Sequence, residues 1–139
     1  MPVIVTVAII GVTVVGAILA IALDLSSEFV IGDAQRGDLG IEVIWQGSAV
    51  SAPLPPIIGI VVGALLAMRT GVARLIGLVL LMLAGLMMVV GVVGEFTSDT
   101  SFTGLRQVLF VIFNATYGVL AASLAVTSLR AIFDRPARA

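Results

Sequence analysis

Four apolar runs, at about residues 2–23, 53–68, 75–94 and 105–129, decide what this chain can fold into. The first is long enough to form a helix of roughly 33 Å, which matches a hydrocarbon core of about 30 Å. Hydrophobic residues make up 60% of the chain and charged residues 11%, with a mean hydropathy of +1.27. A soluble domain has about a quarter of its residues charged, and a soluble core with this composition would expose large apolar patches to water. Lipid as the solvent removes that conflict. In lipid every unpaired backbone group costs several kcal/mol, so each run is expected to be helical, including the first with its many β-branched residues. The expected fold class is an all-α integral membrane protein, a single domain over residues 1–139 with four transmembrane helices.

Charge sorting supplies an orientation. Asp24, Glu28, Asp33, Asp38 and Glu42 follow the first run, and Glu95 and Asp99 follow the third. Arg69 and Arg74 sit between the second and third runs, and Arg130, Arg135 and Arg138 follow the fourth. Arginine excess in short loops marks the cytoplasmic face, whereas acids contribute little to that rule. The pattern predicts both termini inside (N-in, C-in), with an acidic outer side and an arginine-lined inner rim that suits anionic lipid headgroups. A short, membrane-bound rim does not suit nucleic acid. The chain has no lysine. Arginine-only basicity with abundant Ala, Val and Gly points to a GC-rich bacterial genome, so the expected location is the bacterial inner (plasma) membrane, as a multi-pass protein. The first run begins without a basic side chain and continues to Leu23, so a retained helix is expected in preference to a cleaved signal peptide.

Between the runs, Arg69 to Arg74 predicts a tight inner turn that makes runs two and three an antiparallel hairpin. Pro55 and Pro56 are compatible only with the first turn of run two. Thr103 is a candidate cap for run four, and Pro136 limits helix beyond it. The second outer loop, 95–104, is short and polar. The first, 24–52, is longer than a simple connection needs, and its β-prone stretches 28–31 and 41–45 flank a turn-rich segment. A small β-hairpin on the outer surface is expected there, the alternative being a longer first helix followed by irregular chain. Trp45, Phe96 and Phe102 are expected as interfacial anchors, with Arg69, Arg74 and Arg130 anchoring the inner side. Four helices with an extended first outer loop are similar to the claudin layout, but that family's paired cysteines and tryptophan-led loop motif are missing, so no family is assigned.

Function is constrained mainly by what is missing. There is no cysteine and no histidine, which removes thiolate and imidazole chemistry. Phosphate-loop and dinucleotide fingerprints are absent. The outer acids do not follow the spacing of a calcium loop, and Met82, Met87 and Met88 are expected as packing residues in preference to a metal site. No catalytic residue, cofactor or metal ligand is therefore assigned. All charged side chains are expected at or beyond the membrane boundaries, leaving no proton or ion relay inside.

Helix association in lipid relies on small residues and scattered polar groups. Gly16 and Ala20 share a face of run one. Gly59, Gly63 and Ala67 share a face of run two, and Asn114, Gly118 and Ala122 follow at four-residue spacing in run four. These residues are the expected packing or partner seams, with Asn114 as interhelical glue. The leading expectation is a small non-catalytic accessory or scaffold subunit that packs against other membrane subunits or itself. The alternative is an oligomeric channel or transporter with Thr6 and Thr13, or Asn114 and Thr116, facing a shared path. A membrane enzyme acting on lipid or an envelope precursor stands third.

Overall fold

A computed structural model describes residues 1–23, 52, 54–97 and 102–134. These form four helices: α1 (Pro2–Leu23), α2 (Leu54–Ala67), α3 (Gly71–Thr97) and α4 (Leu105–Phe133). Three of them, α1, α3 and α4, are long and apolar enough to cross a membrane, and α2 is a shorter apolar helix. Large hydrophobic side chains such as Ile4, Ile18, Leu65, Val90 and Val119 are exposed on the outside of the bundle, as lipid allows and water does not. The proposed hairpin, Trp45 and the acids of 24–51 lie outside the described residues.

Local chemistry sets the helix ends. Pro2 opens α1 and Pro55 and Pro56 sit in the first turn of α2, where a missing amide donor has no intrahelical partner to lose. Helix α2 ends in a tight turn, with Met68 N donating to Ala64 O at 3.2 Å and Arg69 N to Leu66 O at 3.0 Å. Gly71 takes φ +63° there, a left-handed conformation that glycine adopts without steric cost. The turn is therefore shorter than expected, and Arg74 already lies inside α3. At its other end α3 runs through Glu95 and Phe96 to Thr97. The expected boundary at residue 94 is corrected: a single carboxylate does not stop a helix whose neighbours continue to pack. The expected Thr103 cap is also corrected. Gly104, at φ 62°, precedes α4 with no side-chain cap. Arg130 lies in the last turn of α4, where its charge complements the helix dipole.

The helices run antiparallel around a ring in the order α1, α4, α3, α2. Contacts are most extensive between α3 and α4 and between α2 and α3, smaller between α1 and α4, and slight between α1 and α2. The shared core joins Ile9, Ile60, Ala64, Leu81, Ala84, Met88, Tyr117, Ala121 and Leu124. This arrangement gathers Met1, the 68–70 turn and Arg130 at one end of the bundle, and Leu23, Ala52, Glu95 and Phe102 at the other.

Candidate functional site: a polar level in the bundle interior

Helix α3 packs against its neighbours at backbone distance. A Cβ on Gly77 would collide with the backbone of α2, meeting Ala67 N and Gly63 O, the latter at 2.6 Å. A Cβ on Gly85 would lie 2.8 Å from Ala121 O and 3.0 Å from Ala125 N on α4. These are the close approaches that small residues permit in membrane helices. Gly63 is buried against Gly77 O and the Leu81 side chain, whereas a Cβ on Gly59 would meet Ala84 Cβ at an ordinary 4.0 Å.

Helix α1 is joined differently. Its threonines bond back along their own helix, Thr6 Oγ1 to Pro2 O at 3.0 Å and Thr13 Oγ1 to Ile9 O at 2.8 Å. The hydroxyls of Thr97, Thr116 and Thr127 likewise donate to backbone carbonyls within one turn. Such bonds satisfy a hydroxyl donor without water. Tyr117 then bridges the helices: its hydroxyl donates to Thr13 Oγ1 at 3.0 Å and accepts from Ala52 N at 3.4 Å. One phenol thus ties α4 to α1 and to the residue leading into α2.

Above Tyr117 lies a second polar level. Asn114 is buried and donates from Nδ2 to Phe110 O at 3.0 Å. Across the α3–α4 interface, a Cβ on Gly118 would meet Val92 at 3.5 Å, and the Phe96 and Phe110 rings meet edge to face with centroids 5.5 Å apart. Those two pairings fix the register and put Glu95 and Asn114 at one level of the interface. Glu95 is only 7% exposed. Glu95 is thus inside the bundle, in the last turn of a helix long enough to span, and not in an outer loop as expected. Phe102, centroid 5.8 Å from Phe110, helps cover this end, with Ala20 packed against it from α1.

The other sequence-predicted residues fall as follows. Gly16 and Ala20 are buried on α1, Gly63 is buried on α2, and Gly59 and Ala67 are half-buried. Gly118 is half-buried, but Ala122 is exposed, and Ala121 and Ala125 are the small residues that face Gly85. Phe96 is half-exposed and Phe102 half-buried; Arg69 and Arg130 are exposed and Arg74 is half-buried. Met88 is in the core, whereas Met87 faces outward. Sequence reasoning missed Gly77, Gly85, Tyr117 and Glu95. The two glycines stand on different faces of α3, so no repeated small-residue spacing announced them.

A shallow apolar groove of about 240 Å³ separates α1 from α4, lined by Gly11, Val12, Val15, Ile112, Phe113 and Thr116. Among the described residues, no three carboxylates, histidines or cysteines come together to hold a metal ion. Among the described residues the buried polar groups are therefore one carboxyl, one amide, one phenol and the hydroxyls of Thr6 and Ser128, in an apolar bundle. No family model matches this chain, and no curated protein and no solved structure matches it either.

Proposed function

We propose that this protein is a small non-catalytic membrane subunit that packs through α1 against a larger partner complex, or against further copies of itself. The observation that carries this reading is the asymmetry of the bundle. Among the described residues, helix α1 touches little besides α4, and only 22% of its spanning segment is buried. A helix with most of its circumference open to lipid has a wide face available for another helix. The interior polar groups, by contrast, are largely spent on bonds within the chain: Thr6, Thr13 and Asn114 all donate to carbonyls of their own helices. The same proposal places the chain in a bacterial inner membrane with its arginine end toward the cytoplasm and anionic lipid. Purification from native membranes in mild detergent tests it. A stable heteromeric or homomeric complex is expected, and a chain that runs alone as a monomer contradicts it.

A second reading, an oligomeric channel or transporter, draws support from the burial of Glu95 inside a spanning helix, since such groups often mark ion pathways. Solute or proton flux in liposomes that is lost in Glu95→Gln and Asn114→Leu would favour it. Absence of flux from reconstituted protein would leave the subunit reading in place.

A further inference from the structure

The groove between α1 and α4 opens sideways at mid-depth, since Gly11, Val12 and Val15 lie near the middle of α1. Its walls are apolar, and the one hydroxyl among them, on Thr116, already donates to Ile112 O. Gly11 keeps it open: a Cβ there meets nothing within 4 Å, and the groove holds about 240 Å³. The same flank continues toward the arginine end of the bundle. On α1, Ala8 and Ile4 follow Gly11 at three- and four-residue steps, and both are exposed. On α4, steps of seven lead from Thr116 to Ser123 and then to Arg130. Each step falls about 20° short of two turns, so Arg130 lies only about 40° round the helix from Thr116. The flank thus ends on an exposed guanidinium. About 21 Å of helix separates Thr116 from Arg130. One leaflet of a bilayer, counted with its headgroups, is about 20–22 Å thick.

We propose that the α1–α4 flank is a binding site for one anionic phospholipid, with an acyl tail in the groove beside Gly11 and the phosphate on Arg130. Charge and length select this occupant together. A bare hydrocarbon chain would need no cation at the rim, and a free phosphate would need no apolar groove one leaflet away. The guanidinium offers paired N–H donors that match phosphate oxygens. Among the described residues, Arg69, Arg74 and Arg130 stand at this end against the single acid Asp134, so the rim draws anions. Arg69 belongs to the turn between α2 and α3, on the far side of the ring from α1 and α4, and is not part of the site. The lipid covers one flank of α1 only. Val7, Val14 and Ile18 are exposed on the other flank, where a partner helix can still pack. The inference rests on the arginine end facing anionic lipid, as in the proposed function, and is independent of whether a partner subunit exists.

Native mass spectrometry of the delipidated full chain tests the site, by titration in mild detergent with phosphatidylglycerol or phosphatidylcholine of the same tails. One retained phosphatidylglycerol is expected, at a lower concentration than phosphatidylcholine requires. Arg130→Gln is expected to weaken phosphatidylglycerol binding about five-fold, the effect of one basic side chain at a membrane surface, and to leave phosphatidylcholine unchanged. Arg69→Gln makes the same change of charge elsewhere on the rim and is expected to change neither. Gly11→Leu fills the groove and should weaken both lipids. Glycerol phosphate, a headgroup without tails, should not compete. All three substitutions are at exposed positions, so the variants are expected to unfold in micelles as wild type does. Equal weakening by Arg69→Gln and Arg130→Gln would reduce the effect to general attraction at the rim and overturn the site. Undiminished binding in Gly11→Leu would overturn it too. A protein that co-purifies in place of the lipid, and is lost in Gly11→Leu, would assign the flank to a partner helix, and the lipid site would fail. The titration uses the isolated chain, so a chain that runs alone as a monomer contradicts the subunit reading and leaves the lipid site standing.

Discussion

Helices α1 and α3 are both long, apolar and free of charge through their middles, yet the bundle holds them by different means. Helix α3 meets α2 and α4 at backbone distance, through Gly77 and Gly85. Helix α1 is held by side chains: Ile9 in the shared core, Ala20 against Phe110, and Thr13 under the Tyr117 hydroxyl. The difference matters because lipid supplies no hydrophobic drive to press helices together. Close packing must do that work, and dispersion falls steeply with even a small gap. Among the described residues helix α3 is therefore the hub, and α1 is the element through which a partner is proposed to pack.

The largest expected effect comes from filling the hub. Gly77→Val places a side chain into the α2 backbone, which has no rotamer with which to yield, and is expected to cost about 3 kcal/mol or more. Gly85→Val meets Ala121 O and Ala125 N in the same way and is expected to cost nearly as much. Unfolding in mixed detergent micelles measures both, and a loss below about 1 kcal/mol would contradict backbone contact at α3.

On the α1 side the effects should be smaller and local. Tyr117→Phe removes the phenol's bonds with Thr13 Oγ1 and Ala52 N, and about 0.6 to 1.7 kcal/mol is typical of an interhelical hydrogen bond in membranes. A double-mutant cycle with Thr13→Val is expected to return a coupling of about 0.6 kcal/mol. Zero coupling would mean that the phenol does not hold α1. The smallest effect belongs to Gly11→Ala. A Cβ there meets nothing within 4 Å, so the isolated chain should be unchanged or slightly stabilised, by up to about 1 kcal/mol. Loss of a co-purifying partner in Gly11→Ala, with stability retained, would locate that partner on the α1 face.

Much of this architecture was legible in the sequence, because run length and hydropathy speak directly to a bilayer. The four runs correspond to the four helices, and the prolines of α2 stand in its first turn as expected. Two things were not legible. One is the end of α3: a carboxylate after an apolar run looks like a loop residue, and only the register set by Val92–Gly118 and Phe96–Phe110 places Glu95 inside. The other is which small residues touch. From Asn114, four-residue steps lead to Gly118 and then Ala122. Seven residues nearly complete two turns, so Ala121 falls about 20° from Asn114, whereas Ala122 falls about 80° away. Ala121 and Ala125 accordingly face Gly85, while Ala122 faces outward.

The absence of cysteine gives the hub a direct test. A Cβ built on Gly59 stands 4.0 Å from Ala84 Cβ, within the 3.5–4.5 Å that a disulfide requires. Gly59→Cys combined with Ala84→Cys, oxidised in native membranes and separated by non-reducing electrophoresis, is expected to give an internally cross-linked monomer that reverts on reduction. No cross-link, or one formed only between chains, would contradict the seating of α2 on α3 and with it the assignment of α3 as the hub.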